Sequence, residues 1–422
     1  MTERKIADMD GILDIALESG TLILQSGGET YRTEETMITV AESLGAAEAS
    51  AFVTPTVAIL TCVDAEGRSR TKLRRIVSRT INLGTIARVN ALSRRIEGRR
   101  PRNDLSLIAA LLKRIRSIPE RPVFAVSFAT AVASFCFSLM FRGTPGEALT
   151  AAAIGILMRL SLFALAPLAL SGFIYNALGG AVISLLSGLA VMAGLVGSGG
   201  NVSISVLMSL VPGLAIVNAI RDIIAGDLVA GSARLMEAFV IAAALSLGAA
   251  FGLLVFPVGG AYASTLGFHE SLGLSFLLSA LAAGSFAYFF HISKYDILWT
   301  SLAGGFGWVT FLVLQRSLGA PIAAYLAGAL CVGLISEILA IVFRKPATVY
   351  IVSGVIPFVP GGGMYETMLY STLGNMDAAA RTGFQTLSAA AAIAVGIALA
   401  SSLARLAARF IKSRNLGRRP AR

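Results

Sequence analysis

The chain has 422 residues, a mean hydropathy of +0.76 and 14% charged residues. Soluble domains carry about 25% charged residues, so this composition excludes an ordinary soluble protein and indicates one that crosses a membrane several times. The net charge is +11, but the basic residues lie beside apolar segments, where membrane topology places them, so we expect no nucleic-acid partner.

The first 118 residues are polar enough to form a soluble domain, which we expect to be a small α+β unit. Apolar residues recur at helical spacing and stop at Gly27-Gly28 and Gly45, and a stretch rich in Val, Thr and Ile flanks a turn at 64–67. The predicted helices cover 6–26, 30–44, 82–96 and 104–115, and the predicted strands lie within 51–63 and 71–78.

Ten apolar segments follow, each close to the length of about 20 residues that crosses a bilayer. They are 123–141, 149–170, 173–196, 202–220, 228–256, 272–291, 297–315, 321–343, 348–373 and 383–411. Lys and Arg are concentrated before the first segment, in the even-numbered loops and at the C-terminus. The positive-inside rule therefore places both termini in the cytoplasm, and we interpret the basic run at 88–121 as this topology signal.

The membrane part contains an internal repeat. Residues 122–256 align with 270–404 without a gap at a shift of 148 residues (359 − 211), which pairs Val211-Pro212-Gly213 with Val359-Pro360-Gly361. The same register repeats three further glycines, Gly180, Gly226 and Gly248, as Gly328, Gly374 and Gly396. The predicted division is a cytoplasmic α+β domain (1–118), two five-helix membrane repeats (119–258 and 268–412) and a basic cytoplasmic tail (413–422).

Each repeat holds five predicted spans, which is an odd number, so the second repeat must enter the membrane from the opposite side. Inverted repeats with broken helices, and a substrate site near the midplane, are a recurring plan of secondary transporters. The predicted fold is therefore a polytopic α-helical membrane protein of about ten transmembrane helices in two inverted five-helix repeats.

The two Pro-Gly breaks are the first candidates for a substrate site. A proline inside a helix frees backbone groups, which a bilayer tolerates only within protein or against a water-filled cavity. A simple packing kink is the alternative, but two breaks at matched positions favour a site. The candidate substrate-binding residues here are Pro212, Gly213, Asn218, Pro360, Gly361, Gly362 and Gly363.

Ionisable residues inside the spans are costly and are therefore functional candidates. We expect Arg159 to bind a carboxylate, because guanidinium pairs with it bidentately, although Arg159 could instead be a structural partner of a glutamate. Glu366 is the preferred proton site, with Glu237 and Asp222 as further candidates. Glu237 could alternatively form an interfacial pair with Arg234.

Several kinds of chemistry lack a sequence signal. No P-loop, metal motif or catalytic-triad spacing is present, and the three cysteines (Cys62, Cys136 and Cys331) have no metal or disulfide spacing. We therefore expect no enzyme activity, no cofactor and no bound metal.

The motifs in both halves resemble one known family. Residues 26–37 (SGGETYRTEETM), 52–56 (FVTPT) and 81–84 with 87–90 (INLG and ARVN) resemble the N-terminal signature of the threonine/serine exporters. Val211-Pro212-Gly213 with 218–222 (NAIRD), and 357–361 (PFVPG) with Met364-Tyr365, resemble the ends of that family's two halves, fused here. At Gly361-Gly362-Gly363 this chain departs from the family pattern, where a sequence similar to Gly-Ser-Gly is expected.

This resemblance implies a ten-helix protein of the bacterial inner membrane that exports threonine, serine or a similar small carboxylate-bearing solute with the proton gradient. Split relatives are associated with dicarboxylate export, so a succinate-like substrate is one alternative, and a membrane sensor with a cytoplasmic output domain is another. A homo-oligomer stays open, because the sequence reveals no interface.

The family motif near the N-terminus falls outside the membrane part. We expect Glu29, Tyr31, Arg32 and Glu35 to form a regulatory network at a helix start that docks this domain to the membrane part. A hydrolase is disfavoured, because both histidines, His269 and His291, lie outside the domain and no nucleophile–base pair is visible.

Overall fold

The computed structural model describes residues 9–98, 104–256 and 271–416, with side chains up to residue 407. The chain forms two compact units. The first holds Met1–Glu120, Asp222–Arg234 and Phe290–Ile292, and the second holds Arg121–Arg221, Leu235–Phe289 and Ser293–Arg422. Part of the predicted basic tail, residues 417–422, lies outside the described residues.

The first unit is an α+β fold built on one antiparallel sheet with strand order β1-β2-β3. Its elements are α1 (Met9–Gln25), α2 (Thr30–Leu44), β1 (Glu48–Thr54), β2 (Val57–Val63), β3 (Ser69–Arg75), α3 (Leu83–Glu97) and α4 (Leu105–Arg116). The inner face of the sheet packs on the helices through a buried apolar core that includes Leu13, Met37, Val53 and Leu60. The predicted turn at 64–67 joins β2 to β3, where the Asp64 carboxylate accepts the backbone N–H groups of Glu66 and Arg68.

Charged side chains join α1 to β3 in a regular series. Asp10 pairs with Arg70, Asp14 pairs with Lys72 at 2.9 Å, and Glu18 pairs with Arg74. The acidic positions are four residues apart on the helix and the basic positions are two apart on the strand, so each series lies on one face of its element. Arg70, Lys72 and Arg74 of β3 therefore have partners inside this unit.

The second unit is almost entirely helical. It contains α5 (Val123–Met140), α6 (Pro145–Leu165), α7 (Gly172–Met192), α8 (Gly199–Leu207), α11 (Leu272–Phe289), α12 (Lys294–Leu318), α13 (Pro321–Phe343), α14 (Thr348–Gly354), α15 (Gly361–Thr372) and α16 (Met376–Leu416). Most of α9 (Gly213–Ile224) and α10 (Leu228–Val255) also belongs to it. Short 3₁₀ turns cover Ala166–Leu168 and Ile356–Phe358.

The number of continuous spans is smaller than predicted. Within the described residues, eight helices are long and apolar enough to cross a membrane, or nine if the bent pair on either side of Pro360 counts as one span. The fourth predicted span, 202–220, is instead two helices, α8 and α9, of 9 and 12 residues. Each is too short to cross a bilayer at 1.5 Å per residue, because the chain breaks at Pro212-Gly213.

Helix starts recur at the spacing of the sequence repeat. Gly213 and Gly361, the first residues of α9 and α15, are 148 positions apart (361 − 213), and so are Leu228 and Met376, the first residues of α10 and α16 (376 − 228). The starts of α5, α6 and α7 recur in α11, α12 and α13 to within one residue of this shift. The opposite orientation of the two halves in a membrane stays a prediction.

Two of the repeated glycines make similar close helix contacts. A Cβ atom on Gly248 of α10 would lie 2.7 Å from the carbonyl carbon of Ala177 on α7, and one on Gly396 of α16 would lie 2.5 Å from the carbonyl oxygen of Leu326 on α13. Small residues allow helix backbones to approach this closely. The repeated glycines therefore have a packing role in both halves.

Candidate functional site

A cavity of about 470 Å³ lies beside the second Pro-Gly break, which is a volume typical of small-molecule sites. The cavity is surrounded by the 3₁₀ turn at Ile356–Phe358 and by helices α8, α12, α13, α15 and α16. Aromatic side chains form much of the wall, and polar groups come from α15 and α16. The principal lining residues are Phe141, Met208, Trp308, Tyr325, Phe358, Pro360, Gly362, Gly363, Glu366, Thr382, Gln385, Thr386 and Ser388.

The break places the start of a helix beside this cavity, where the Gly361 N–H donates to the Val359 carbonyl at 2.8 Å. The pair Thr348–Phe358 and Gly361–Thr372 is bent by 50°, and no side chain caps the start of α15. The first N–H groups of a helix have no partner within the helix, and they carry partial positive charge. The first turn of α15, at Gly362 and Gly363, therefore places partial positive charge next to the cavity.

The first break lies directly against the second. A Cβ atom on Gly213 would lie 3.1 Å from the Cα of Gly361, so neither position has room for a larger residue without movement. Pro212 and Gly213 are buried behind the break and are not among the cavity-lining residues. Asn218 lies further along α9 and is also outside the lining. The structure thus joins the two predicted breaks, but opens a cavity beside the second one.

Glu366 is the predicted proton site that faces the cavity. It is partly buried on α15, and Gln385 and Thr386 lie on α16 among the lining residues. The Thr386 hydroxyl donates to the Thr382 carbonyl at 2.7 Å, and the Thr367 hydroxyl donates to the Gly363 carbonyl at 2.6 Å. A hydroxyl that donates to its own helix keeps its lone pairs available as acceptors.

The other two predicted proton sites lie elsewhere. Glu237 is on an exposed part of α10. Asp222 is 1% exposed and pairs with Arg234 at 3.1 Å, within the first unit. Neither is among the residues that line the cavity, so the structure does not bring the three carboxyl groups together.

Arg159 occupies a separate small niche rather than the cavity. Its guanidinium lies 4.4 Å from the ring centre of Phe289, and its Nε approaches the Thr130 hydroxyl at 3.5 Å. In the described part of the chain it makes no ion pair with a carboxylate. The predicted alternative of a structural partner among the glutamates is therefore not found there.

The N-terminal motif forms a network within the first unit. Arg32 pairs with the buried Glu29 at 2.9 Å and donates to the Tyr31 hydroxyl at 3.2 Å. The Thr30 hydroxyl donates to the Asp227 carboxylate at 2.5 Å. Glu35 is exposed at the surface of α2. A regulatory role for these residues stays a prediction.

A neighbouring carboxyl in this network was not singled out from the sequence. Glu34 accepts the backbone N–H of Val53 at 2.9 Å. Burial is the main reason that its pKa is raised above the usual value; the Val53 hydrogen bond lowers the pKa, and the charge of Asp227 raises it.

A second missed group is a buried acidic residue in the membrane unit. Asp296, near the start of α12, is 2% exposed and binds both Lys345 and the Tyr350 hydroxyl, the latter at 3.0 Å. Glu337 of α13 accepts a hydrogen bond from Ser401 of α16 at 2.6 Å. Hydropathy alone does not reveal such pairs, because the partners are 49 and 64 residues apart.

Comparisons with known proteins agree with this architecture. A family profile described as a putative threonine/serine exporter matches residues 14–256, and a second, described as Threonine/Serine exporter, ThrE, matches residues 275–403. A threonine/serine exporter of Corynebacterium glutamicum is 24% identical over 408 residues, covering 93% of this chain and 80% of the relative. No solved structure matches the chain. Together, the two profiles cover both halves of the molecule, and the chain belongs to the threonine/serine exporter family.

Proposed function

We propose that this protein is a secondary transporter that exports threonine, serine or a similar small amino acid in exchange for protons. The observation that carries the proposal is the cavity at the second break. Within the described residues, Glu366 is the one carboxylate in its lining, and no Lys, Arg or His joins it. The site therefore combines one negative group, neutral polar groups and the start of a helix.

An amino acid that carries both charges fits these groups. Its carboxylate would lie at the start of α15, near Gly362 and Gly363, where the helix dipole favours an anion. Its ammonium group would pair with Glu366. The side-chain hydroxyl of threonine or serine would bind Gln385 or Thr386 on α16, and the aromatic wall would exclude water.

Glu366 also offers a simple basis for proton coupling. A carboxylate that pairs with the substrate ammonium cannot be protonated at the same time, so proton and substrate compete for one group. Such competition is what an exchanger requires. The exposure of Glu237 and the ion pair of Asp222 make them weaker candidates for this role.

The alternatives have less support. A dicarboxylate such as succinate would need a second fixed cation, and the lining within the described residues contains none. A sensor would not need a cavity of this size. The distribution of Lys and Arg supports a multi-pass protein of the bacterial inner membrane with both termini in the cytoplasm.

The test is counterflow in proteoliposomes with labelled threonine, serine and succinate in parallel, with and without a pH gradient. We expect movement of threonine or serine that the gradient accelerates. Movement of succinate alone would keep the transport mechanism and change the substrate. No movement of any of the three would contradict the proposal and favour the sensor.

Variants separate the proton site from the rest of the cavity. Glu366→Gln should lose the response to the gradient, while Glu147→Gln, at the capping box that begins α6, should behave as wild type because Gln also serves in that motif. If Glu366→Gln and Glu237→Gln both retain gradient-driven movement, the proton assignment is wrong.

A further inference from the structure

A second, much smaller space lies beside Ser209, just before the first break. We call it the Arg159 niche; its volume is about 10 Å³. It is lined by Ala129, Thr130, Ala133, Arg159, Ser209, Ser285, Phe286 and Phe289. Met208 lines the large cavity and the next residue, Ser209, lines the niche, so the chain just after α8 separates the two spaces.

The guanidinium in this niche has an unusual environment. Aromatic rings and small hydroxyl groups surround Arg159, and no carboxylate of the described chain pairs with it. A guanidinium without a counter-ion is costly away from water, and it binds a carboxylate with two parallel hydrogen bonds. The missing partner is therefore of the kind that an amino-acid substrate carries.

The niche is also related to the cavity by the sequence repeat. Phe289 of the niche corresponds to Phe141 of the cavity, and Ser209 corresponds to Pro357, each at a shift of 148 residues (289 − 141 and 357 − 209). Arg159 corresponds to Gly307, next to Trp308 in the cavity wall. Two lining positions of the niche and two of the cavity are therefore related by the repeat, and the cavity is much the larger of the two spaces.

We propose that the Arg159 niche is the closed counterpart of the 470 Å³ cavity, and that it opens on the opposite side of the membrane to bind the substrate carboxylate through Arg159. This inference rests on the proposed function. In the transport cycle the carboxylate moves from Arg159 to the start of α15, and the contact between the two breaks lies on that route.

The first test compares two ligands that differ in the carboxylate. The half-saturating concentrations of threonine and of threoninol, which has a hydroxymethyl group in place of the carboxylate, are measured separately in right-side-out and inside-out vesicles of full-length wild type, Arg159→Met and Arg159→Lys. On the side where the niche opens, we expect Arg159→Met to weaken threonine binding by about ten- to a hundredfold, the value of a charge-assisted pair. Threoninol binding should be unchanged by Arg159→Met. The affinity of Arg159→Lys for threonine should lie between those of the wild type and Arg159→Met.

The outcomes separate this inference from the proposed function. An equal loss for both ligands would mean that Arg159 only supports the fold, and unchanged threonine binding would remove the carboxylate assignment; either result overturns the inference. If the wild type binds neither threonine nor serine, the proposed function itself fails. Arg405→Met, an exposed arginine on α16, is the matched control and should bind both ligands as wild type does.

A second test needs no substrate. Ser285→Cys in the niche and Ser388→Cys in the cavity are exposed to a membrane-impermeant maleimide in right-side-out and inside-out vesicles, with the parent chain measuring reaction of the native cysteines. We expect the two positions to react from opposite sides, with slower reaction at position 285 because the niche has the smaller volume. Reaction of both from the same side would show that the niche is not a counterpart entrance.

Discussion

Arg234 donates a hydrogen bond of 2.7 Å to the carbonyl oxygen of Gly28, across 206 positions of the chain. The same guanidinium pairs with Asp222, and both side chains are almost fully buried. Arg234, near the start of α10, thus binds the backbone of Gly28, which directly precedes Glu29 of the Glu29–Arg32 pair. This contact gives the N-terminal motif a defined position within the first unit.

Removal of this arginine should destabilise the first unit. Arg234→Met leaves Asp222 as a buried charge without this partner, which costs about 3–5 kcal/mol. Hydrogen–deuterium exchange of residues 28–34 should rise, and the unfolding temperature should fall. The double variant Asp222→Asn/Arg234→Met should recover part of the loss, and a double variant as unstable as the single one would contradict the ion-pair explanation. Arg68→Met, at an exposed turn pair, should change neither measurement.

The Asp296 cluster predicts a graded series in the membrane unit. Lys345→Met should be the most harmful change, at about 3–5 kcal/mol, since it leaves the buried Asp296 without its cation. Tyr350→Phe removes one hydrogen bond and should cost about 1 kcal/mol. Unfolding temperatures in one detergent provide the comparison. Equal effects of the two changes would show that the cation is not the important partner.

The close approach of α7 and α10 predicts a steric effect. Gly248→Ala would press a methyl group onto the Ala177 carbonyl, and overpacking of this kind costs about 1–3 kcal/mol. Gly273→Ala is the matched control, because nothing lies within 4 Å of its Cβ position and alanine is the better helix former. We expect Gly248→Ala to lower the unfolding temperature and Gly273→Ala to leave it unchanged or raise it.

The raised pKa of Glu34 predicts a pH dependence with a definite sign. Burial disfavours the ionised carboxylate, so the folded pKa exceeds the unfolded value of about 4.3. The folded state then binds more protons between these two values, and stability falls as pH rises through that window. Glu34→Gln keeps an acceptor for Val53 and removes the charge.

The measurement for Glu34 is the unfolding temperature of both proteins from pH 4 to pH 8. We expect Glu34→Gln to match the wild type below about pH 4.3, where the carboxyl is protonated in both states, and to be more stable at neutral pH. A variant that is less stable than the wild type at neutral pH would show that the carboxylate makes a favourable contact that outweighs its burial.

Much of this architecture could be predicted because it follows from local physical constraints. Long apolar segments report membrane-capable helices, and Pro212-Gly213 and Pro360-Gly361 report the breaks, since neither property depends on distant residues. The same features predicted too many continuous membrane spans. An apolar segment such as 202–220 has the hydropathy of a span whether or not its helix is continuous.

The details of the site depend on which helix faces meet, and hydropathy carries no such information inside a membrane. Glu366 lies beside the break because it follows within one turn and a half, and its role as the proton site stays a prediction. Arg159 was expected at the same place, but it lines a separate small space with Ser209 and Phe289. The pairing of Asp296 with Lys345 could not be foreseen, since a single sequence does not identify contacts between residues 49 positions apart.

The charged series between α1 and β3 has a geometric consequence. Four residues of helix advance about 6 Å and two residues of strand advance about 6.6 Å, so the carboxylates of Asp10, Asp14 and Glu18 stay in step with the cations of Arg70, Lys72 and Arg74. A slip of β3 by one residue would turn all three cations to the opposite face of the sheet. Exposed pairs of this kind add little stability. Their effect is on the specificity of the fold, because all three pairs form together only when β3 is aligned with α1 in this one register.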